Sequence, residues 1–233
     1  MRCASYHDPM RQPEFQRARS EETKRLREQA IIDAAVSLGA KHGIRSVTLT
    51  GIAEAVGMHK SALLRYFETR EQIFLIITAR SWREWSEALR AELSPMGAAT
   101  PATTIASLLA RSLVERPMFC DLLAQAPLNL ERNVSIESVR SFKLATLQEV
   151  ERIAAELCRI RPGMTELEAV DIIATATSVA GALWQMATPS NEVARLYRED
   201  PRLGHAIVDV EPRLTRILTA LLTACGKTTP PGR

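Results

Sequence analysis

From Val47 to Phe74 the chain reads VTLTGIAEAVGMHKSALLRYFETREQIF, and no other stretch restricts the fold so tightly. It predicts two short helices, about Leu49 to Val56 and His59 to Phe67, with a tight turn at Gly57 between them. Ala53 stands four residues before that glycine with Ile52 beside it. A small side chain there lets two helix backbones cross closely, and glycine tolerates the dihedrals of the turn. The same Ala-xxx-Gly spacing also arises in unrelated helical proteins, so spacing alone leaves other outcomes open. The second helix narrows them. His59, Lys60, Ser61 and Arg65 share its outer side, while Leu63 and Phe67 stand one turn apart for a core. A short helix that is basic on one side and anchored on the other can enter a DNA major groove.

GMHKSALLRYFETREQIF resembles the recognition helix and following helix of the tetracycline-repressor (TetR) family of transcriptional regulators, and the likeness extends upstream through TLTGIAEAVG to cover about residues 24 to 77. PMFCDLLAQAPLNLERNVS looks like one variant of that family's ligand domain. The resemblance implies an all-α fold. An N-terminal three-helix helix-turn-helix domain is joined by a fourth helix to a C-terminal helical ligand-binding and dimerisation domain. The implied divisions are a flexible basic arm at 1–19, the DNA-binding domain at 20–68, the body at 69–225 and a disordered tail at 226–233.

Within the head, the resemblance makes Lys60 a phosphate or base contact and Tyr66 a phosphate contact through its hydroxyl. His59, Ser61, Ala62 and Arg65 face the groove, with Arg65 and His59 as the base readers; Thr48 and Thr50 stand at the phosphate-facing start of the preceding helix. Thr48 is also an N-cap by residue type, and helix N-termini are natural anion sites. Arg70 replaces the family's usual lysine near the DNA backbone. Three departures stand out. Ala62 and Leu64 occupy positions where hydroxyls are common, and Leu64 either touches a thymine methyl or, more simply, packs inward. Gly39 replaces a large aromatic, which predicts looser packing beneath the motif.

Charge agrees with this division. Residues 1 to 80 hold 13 Lys+Arg against 9 Asp+Glu, and the remainder 17 against 18. The surplus lies where phosphates would be met, although solvated helix faces alone could produce so small an asymmetry. The four cysteines and four histidines are scattered without a C-x-x-C pair, so neither a zinc site nor a disulfide framework is expected. MRCASYHDPMRQPEF lacks an apolar secretory region and no run of about eighteen apolar residues is seen; a cytoplasmic protein that meets no membrane is the expectation.

Along the rest of the chain, Ser20 is the expected N-cap of the first helix, whose core face is Ala30, Ile31, Ala34, Ala35 and Leu38 and which ends at Gly43. Thr69 to Gln72 forms a capping box opening a helix through Ile73, Phe74, Ile77, Trp85 and Leu89. SPMGAATP at 94–101 is a loop, followed by helices to Glu115 and across MFCDLLAQ. Ser135 starts a helix with inner residues Val139, Phe142, Leu147, Val150, Ile153, Ala154 and Leu157. Thr165 and Glu168 box the next, with stripe residues Ala169, Ile172, Ile173, Ala176, Ala180, Leu183, Trp184 and Ala187 and small residues opposite. The last helix starts near Pro212 and carries Leu214, Ile217, Leu218, Leu221 and Leu222.

These last two helices are expected to pair with their copies as a four-helix bundle through Ile172, Ala176, Ala180, Leu214, Leu218 and Leu221, with a purely internal core as the alternative. The resemblance places an effector cavity among the fourth to eighth helices. Its apolar candidates are Trp82, Trp85, Met118, Phe119, Leu123, Phe142 and Trp184, with Asp121, Glu131 and Gln185 for polarity. No catalytic motif or Gly-rich phosphate loop is found, and no cofactor is implied. The expected function is a ligand-responsive regulator, most simply a repressor, that binds a palindromic double-stranded operator as a homodimer and is released by a small, mainly apolar effector. A binding module of the same fold that has lost DNA binding is the alternative, and a helical enzyme a third.

Overall fold

The computed structural model describes residues 12–225, with side chains from Glu21 onward, so the expected arm before Gln12 and the expected tail from 226 lie outside the described residues. Ten α-helices and no strand are found among them: α1 Gln12–His42, α2 Leu49–Ala55, α3 Lys60–Leu63, α4 Arg70–Leu93, α5 Ala102–Val114, α6 Pro117–Gln125, α7 Ile136–Ile160, α8 Glu166–Ala187, α9 Asn191–Glu199 and α10 Val210–Ala224. α1 begins at Gln12, not after a cap at Ser20. Pro13 falls in the first turn, where a proline's missing N–H has no helical partner to lose, so nothing in 12–19 stops the helix.

α1, α2 and α3 form the head. Ile31, Ile32, Ala35, Ile52, Ala53, Leu63 and Phe67 make its core; Ala30, expected inside, is exposed, and Ile32 takes that role. Gly43 at φ 77° ends α1 and Gly57 at φ 65° turns between α2 and α3, both in the left-handed region that suits glycine. Thr48 Oγ1 accepts the Gly51 amide at 3.0 Å and caps α2. α3 is shorter than predicted. After Leu63 the ladder tightens to Arg65 N–H to Ala62 and Tyr66 N–H to Leu63, i to i−3 bonds that carry the chain to Phe67 as a narrower turn.

α4 belongs to head and body at once. Thr69 Oγ1 accepts the Gln72 backbone amide, but the Gln72 side-chain Oε1 accepts the Glu68 amide at 2.8 Å and not that of Thr69, so the box is displaced by one residue. The body packs α4 on α7, α6 on α8, and α10 on both α5 and α8. Gly181 marks the α6–α8 crossing, since a Cβ there would lie 2.9 Å from the Ala124 amide nitrogen. The box at Thr165 and Glu168 is complete. α8 is long and apolar enough by composition to cross a bilayer, against the expectation from sequence; its seat among α6, α7 and α10 is that of a core helix. α9 lies where the sequence carries no stripe for the core, and no residue of it is buried. Leu147 is exposed where an inner position was expected.

Candidate functional site

The outer side of the turn from His59 to Arg65 is polar and open. His59, Lys60, Ser61 and Arg65 are exposed, Ala62 is half-buried, and Thr48 and Thr50 are exposed at the adjoining start of α2. Leu64 is 46% exposed, which overturns inward packing: on the tightened turn its position rotates away from the core that Leu63 and Phe67 occupy. Tyr66 is half-buried, and its hydroxyl accepts from Arg27 Nη1 of α1 at 3.3 Å, which fixes the ring beside the exposed basic side chains.

Arg70 is turned inward and not toward solvent. Its Nη2 donates to the Ile44 carbonyl at 2.6 Å, its Nη1 pairs with Glu71 at 2.8 Å, and the guanidinium lies 5.0 Å from the Phe74 ring centre. With 19% of the side chain exposed, it braces the loop after α1 against α4. The expected approach to the DNA backbone is thereby corrected. A fixed acceptor and an aromatic face take the fork geometry that a phosphate would otherwise receive.

Two carboxylates join head to body. Asp121 of α6 accepts the Ile44 amide at 3.1 Å on one oxygen and Gln185 Nε2 of α8 at 2.8 Å on the other. Glu68, just after the reading turn, accepts the Ser135 amide at 3.0 Å and the Ser135 and Ser138 hydroxyls at 2.9 Å each, at the start of α7. Gln72 Nε2 adds a bond to Ser138 at 3.1 Å. The Ser135 amide first, then the Ser138 and Ser135 hydroxyls, hold the Glu68 carboxyl below its ordinary range, because each donates to the charged form.

The expected cavity residues divide into three groups. Trp82, Trp85 and Phe119 pack edge-on and tilted at 5.4 to 5.8 Å between ring centres, at most 5% exposed, with Trp85 Nε1 donating to Ser112 at 2.9 Å. This closed cluster is core, which corrects their assignment to a ligand wall. Cys120 beside it is buried and its thiol is pushed up to about 12 by burial. Leu123 packs on the same core, and Glu131 is taken by Lys143 at 2.8 Å. Phe142 lines a groove of about 420 Å³ between α4 and α7, with Leu75, Ile76, Ala79 and Ala145 as further apolar walls and Ser135 and Ser138 at one end. Met118, Asp121, Trp184 and Gln185 line a separate cavity of about 640 Å³, whose opposite wall is the C-terminal end of α1 and the turn after it. Gly39 belongs to that wall. Looser packing is not seen at Gly39 itself, where a Cβ would meet Met118 Cε at 3.1 Å; the space opens beside it.

The residues expected to pair two subunits are inside the single chain. Ile172, Ala176, Ala180, Leu214 and Leu218 are at most 2% exposed, and only Leu221 is partly accessible. α8 is apolar or small nearly all round, so the larger residues of its stripe fill the body itself. Its open face is the small one, Ala174, Ser178 and Ala182, and α10 leaves Ile217, Ala220 and Leu221 wholly or partly open.

The family model for bacterial regulatory proteins of the tetR family matches residues 31–77, and that for the tetracyclin repressor-like C-terminal domain matches residues 79–225. No curated protein matches significantly in sequence. Solved structures share the fold. The chain is similar to the Thermus thermophilus FadR, a TetR-family repressor solved with lauroyl-CoA, at 15% identity and a TM-score of 0.55, covering 88% of this chain and 97% of that one. It is also similar to FadR from Bacillus subtilis solved with stearoyl-CoA, at 15% identity and 0.51 over 83% and 96%. A regulator of the TetR/AcrR family from Thermobifida fusca aligns at 18% identity and 0.50 over 84% and 96%.

Proposed function

Because the chain belongs to the tetracycline-repressor family, whose members are transcriptional regulators and not enzymes, we propose that it represses transcription in the cytoplasm by binding a palindromic double-stranded operator as a homodimer. The observation that carries this is the exposed basic turn of His59, Lys60, Ser61 and Arg65, set on a buried Leu63 and Phe67 and flanked by the open Thr48 cap. Phosphate contacts would come from Lys60, Tyr66 and the Thr48 and Thr50 region, and base reading from Arg65 and His59. Ser61 and Ala62 complete the groove face, and Leu64, being exposed, is free to meet a thymine methyl.

The partner copy fits on the open small-residue face of α8 together with Ile217, Ala220 and Leu221 of α10, a surface where backbones can approach closely. The groove between α4 and α7 suits a small, mainly apolar effector. Filling it would press on α7 next to the Glu68 contact and favour one head position over another, releasing the operator. Long-chain acyl-CoA esters are the first effectors to try, since two proteins of this fold carry them.

A gel-shift on the promoter beside its own coding region tests the reading. Lys60→Ala is expected to weaken binding about tenfold or more, and Tyr66→Phe by less, with a lower salt dependence for Lys60→Ala. Equal and weak retention of cognate and random duplexes at low salt would remove the repressor assignment. It would favour the second reading, a binding module of the same fold that no longer reads DNA, for which Ala62 and Leu64 speak by lacking hydroxyls.

A further inference from the structure

The cavity between head and body has a carboxylate in its wall with acceptor capacity to spare. Asp121 uses one bond on each oxygen, to Ile44 and to Gln185, whereas a carboxylate offers about four acceptor positions. Among the described residues no cation pairs with it. The half-buried Trp184 ring and the Met118 thioether line the same space of about 640 Å³, within the range of small-molecule sites. The exposed Arg45 and His42 line the head side of the same space without bonding to Asp121, so a neutral occupant leaves the carboxylate without a bonded counter-charge. A cation gains charge-assisted hydrogen bonds at Asp121 in a space that an aromatic ring also lines.

We propose that this cavity binds a small organic cation, a protonated amine carried on an apolar or aromatic body, with the ammonium on Asp121 and the body against Trp184 and Met118. The site is separate from the groove between α4 and α7. Its walls come from Gly39, His42, Arg45 and Ser46 on the head side and from α6 and α8 on the body side. An occupant that touches both favours one arrangement of the two over others. That regulatory consequence rests on the DNA-binding reading above; the site itself does not.

Calorimetric titration of the full chain with phenylbutylamine and its uncharged counterpart phenylbutanol separates charge from apolar burial. The amine is expected to bind at least about tenfold more tightly than the alcohol, and Asp121→Asn to remove that difference. Gln185→Lys sets the chain's own ammonium against Asp121 and is expected to abolish amine binding while the thermal midpoint is kept, which distinguishes lost binding from lost folding. Equal affinities of amine and alcohol for the unaltered chain, or a Gln185→Lys chain that binds the amine as well as the original, would overturn the site. A gel-shift with and without amine completes the test. Asp121-dependent amine binding by a chain that retains no DNA sinks the repressor reading and keeps the site, whereas operator binding without amine binding does the reverse.

Discussion

Asp121 and Glu68 each fasten the reading head to the body, yet they work in opposite surroundings. Asp121 is half-buried, makes one bond per oxygen, and stands on a helix seated against the closed Trp82, Trp85 and Phe119 cluster. Glu68 is exposed and concentrates three donors on a single oxygen at the open start of α7. A contact mounted on a packed core changes only when the core does. One held by hydroxyls in water yields to acid and to any occupant that shifts α7. The contrast makes the α6 side a fixed pivot and the α7 side a catch.

The strongest challenge to the pivot is Trp85→Ala. The ring is fully buried and its Nε1 is bonded to Ser112, so the substitution is expected to cost about 3–5 kcal/mol in chemical denaturation. A cost under about 1 kcal/mol would mean that the aromatic cluster yields like a ligand wall. Next comes Gly181→Ala, which drives a methyl into the α6 backbone at Ala124 and is expected to destabilise by about 1–3 kcal/mol in the same measurement. An unchanged midpoint would show that α6 can slide on α8, and the pivot would lose its footing.

Glu68→Gln addresses the catch. Its effect near neutrality is expected to stay within about 1 kcal/mol, as for exposed polar pairs. Because the folded carboxyl titrates below its ordinary 4.5, the unfolded chain takes up the proton first as pH falls. The stabilisation is complete above about 4.5 and disappears as pH drops through the folded value, so thermal melts of the two chains should converge in acid. A gap that stays constant would show that charge plays no part. The smallest effect is the coupling between the two contacts. Asp121→Ala combined with Glu68→Gln is expected to be additive within about 0.5 kcal/mol, and a larger interaction term would make pivot and catch one network.

Local chemistry is what the sequence made legible. The Gly57 turn, the caps at Thr48, Ser135 and Thr165, and the buried stripe of α8 all follow from residues within a few positions of one another. What eluded it depends on distant partners. Arg70 turns inward because the Ile44 carbonyl, 26 residues away, receives it. Asp121 finds its head-side partner 77 residues away. Periodicity identifies α8 as apolar nearly all round but does not say which face meets the chain's own helices, and Ile172, Ala176 and Ala180 are on that inner face. α9 buries nothing, and a search for apolar stripes passes over it; the Ser190 cap on Val193 and Glu192 behind it were the available signals. The aromatic cluster reads the same in one dimension whether it closes on itself or lines a hole.

The uninterrupted run of α4 carries a mechanical implication. Its 24 residues make a rod roughly 36 Å long at the usual rise, with the cap at Thr69 on the head and the far end at Leu93 deep in the body. Tilting such a rod by about 5° carries one tip roughly 3 Å sideways while the other stays put. Leverage of that kind turns a displacement no wider than a methyl group, applied near the fulcrum, into a missed groove.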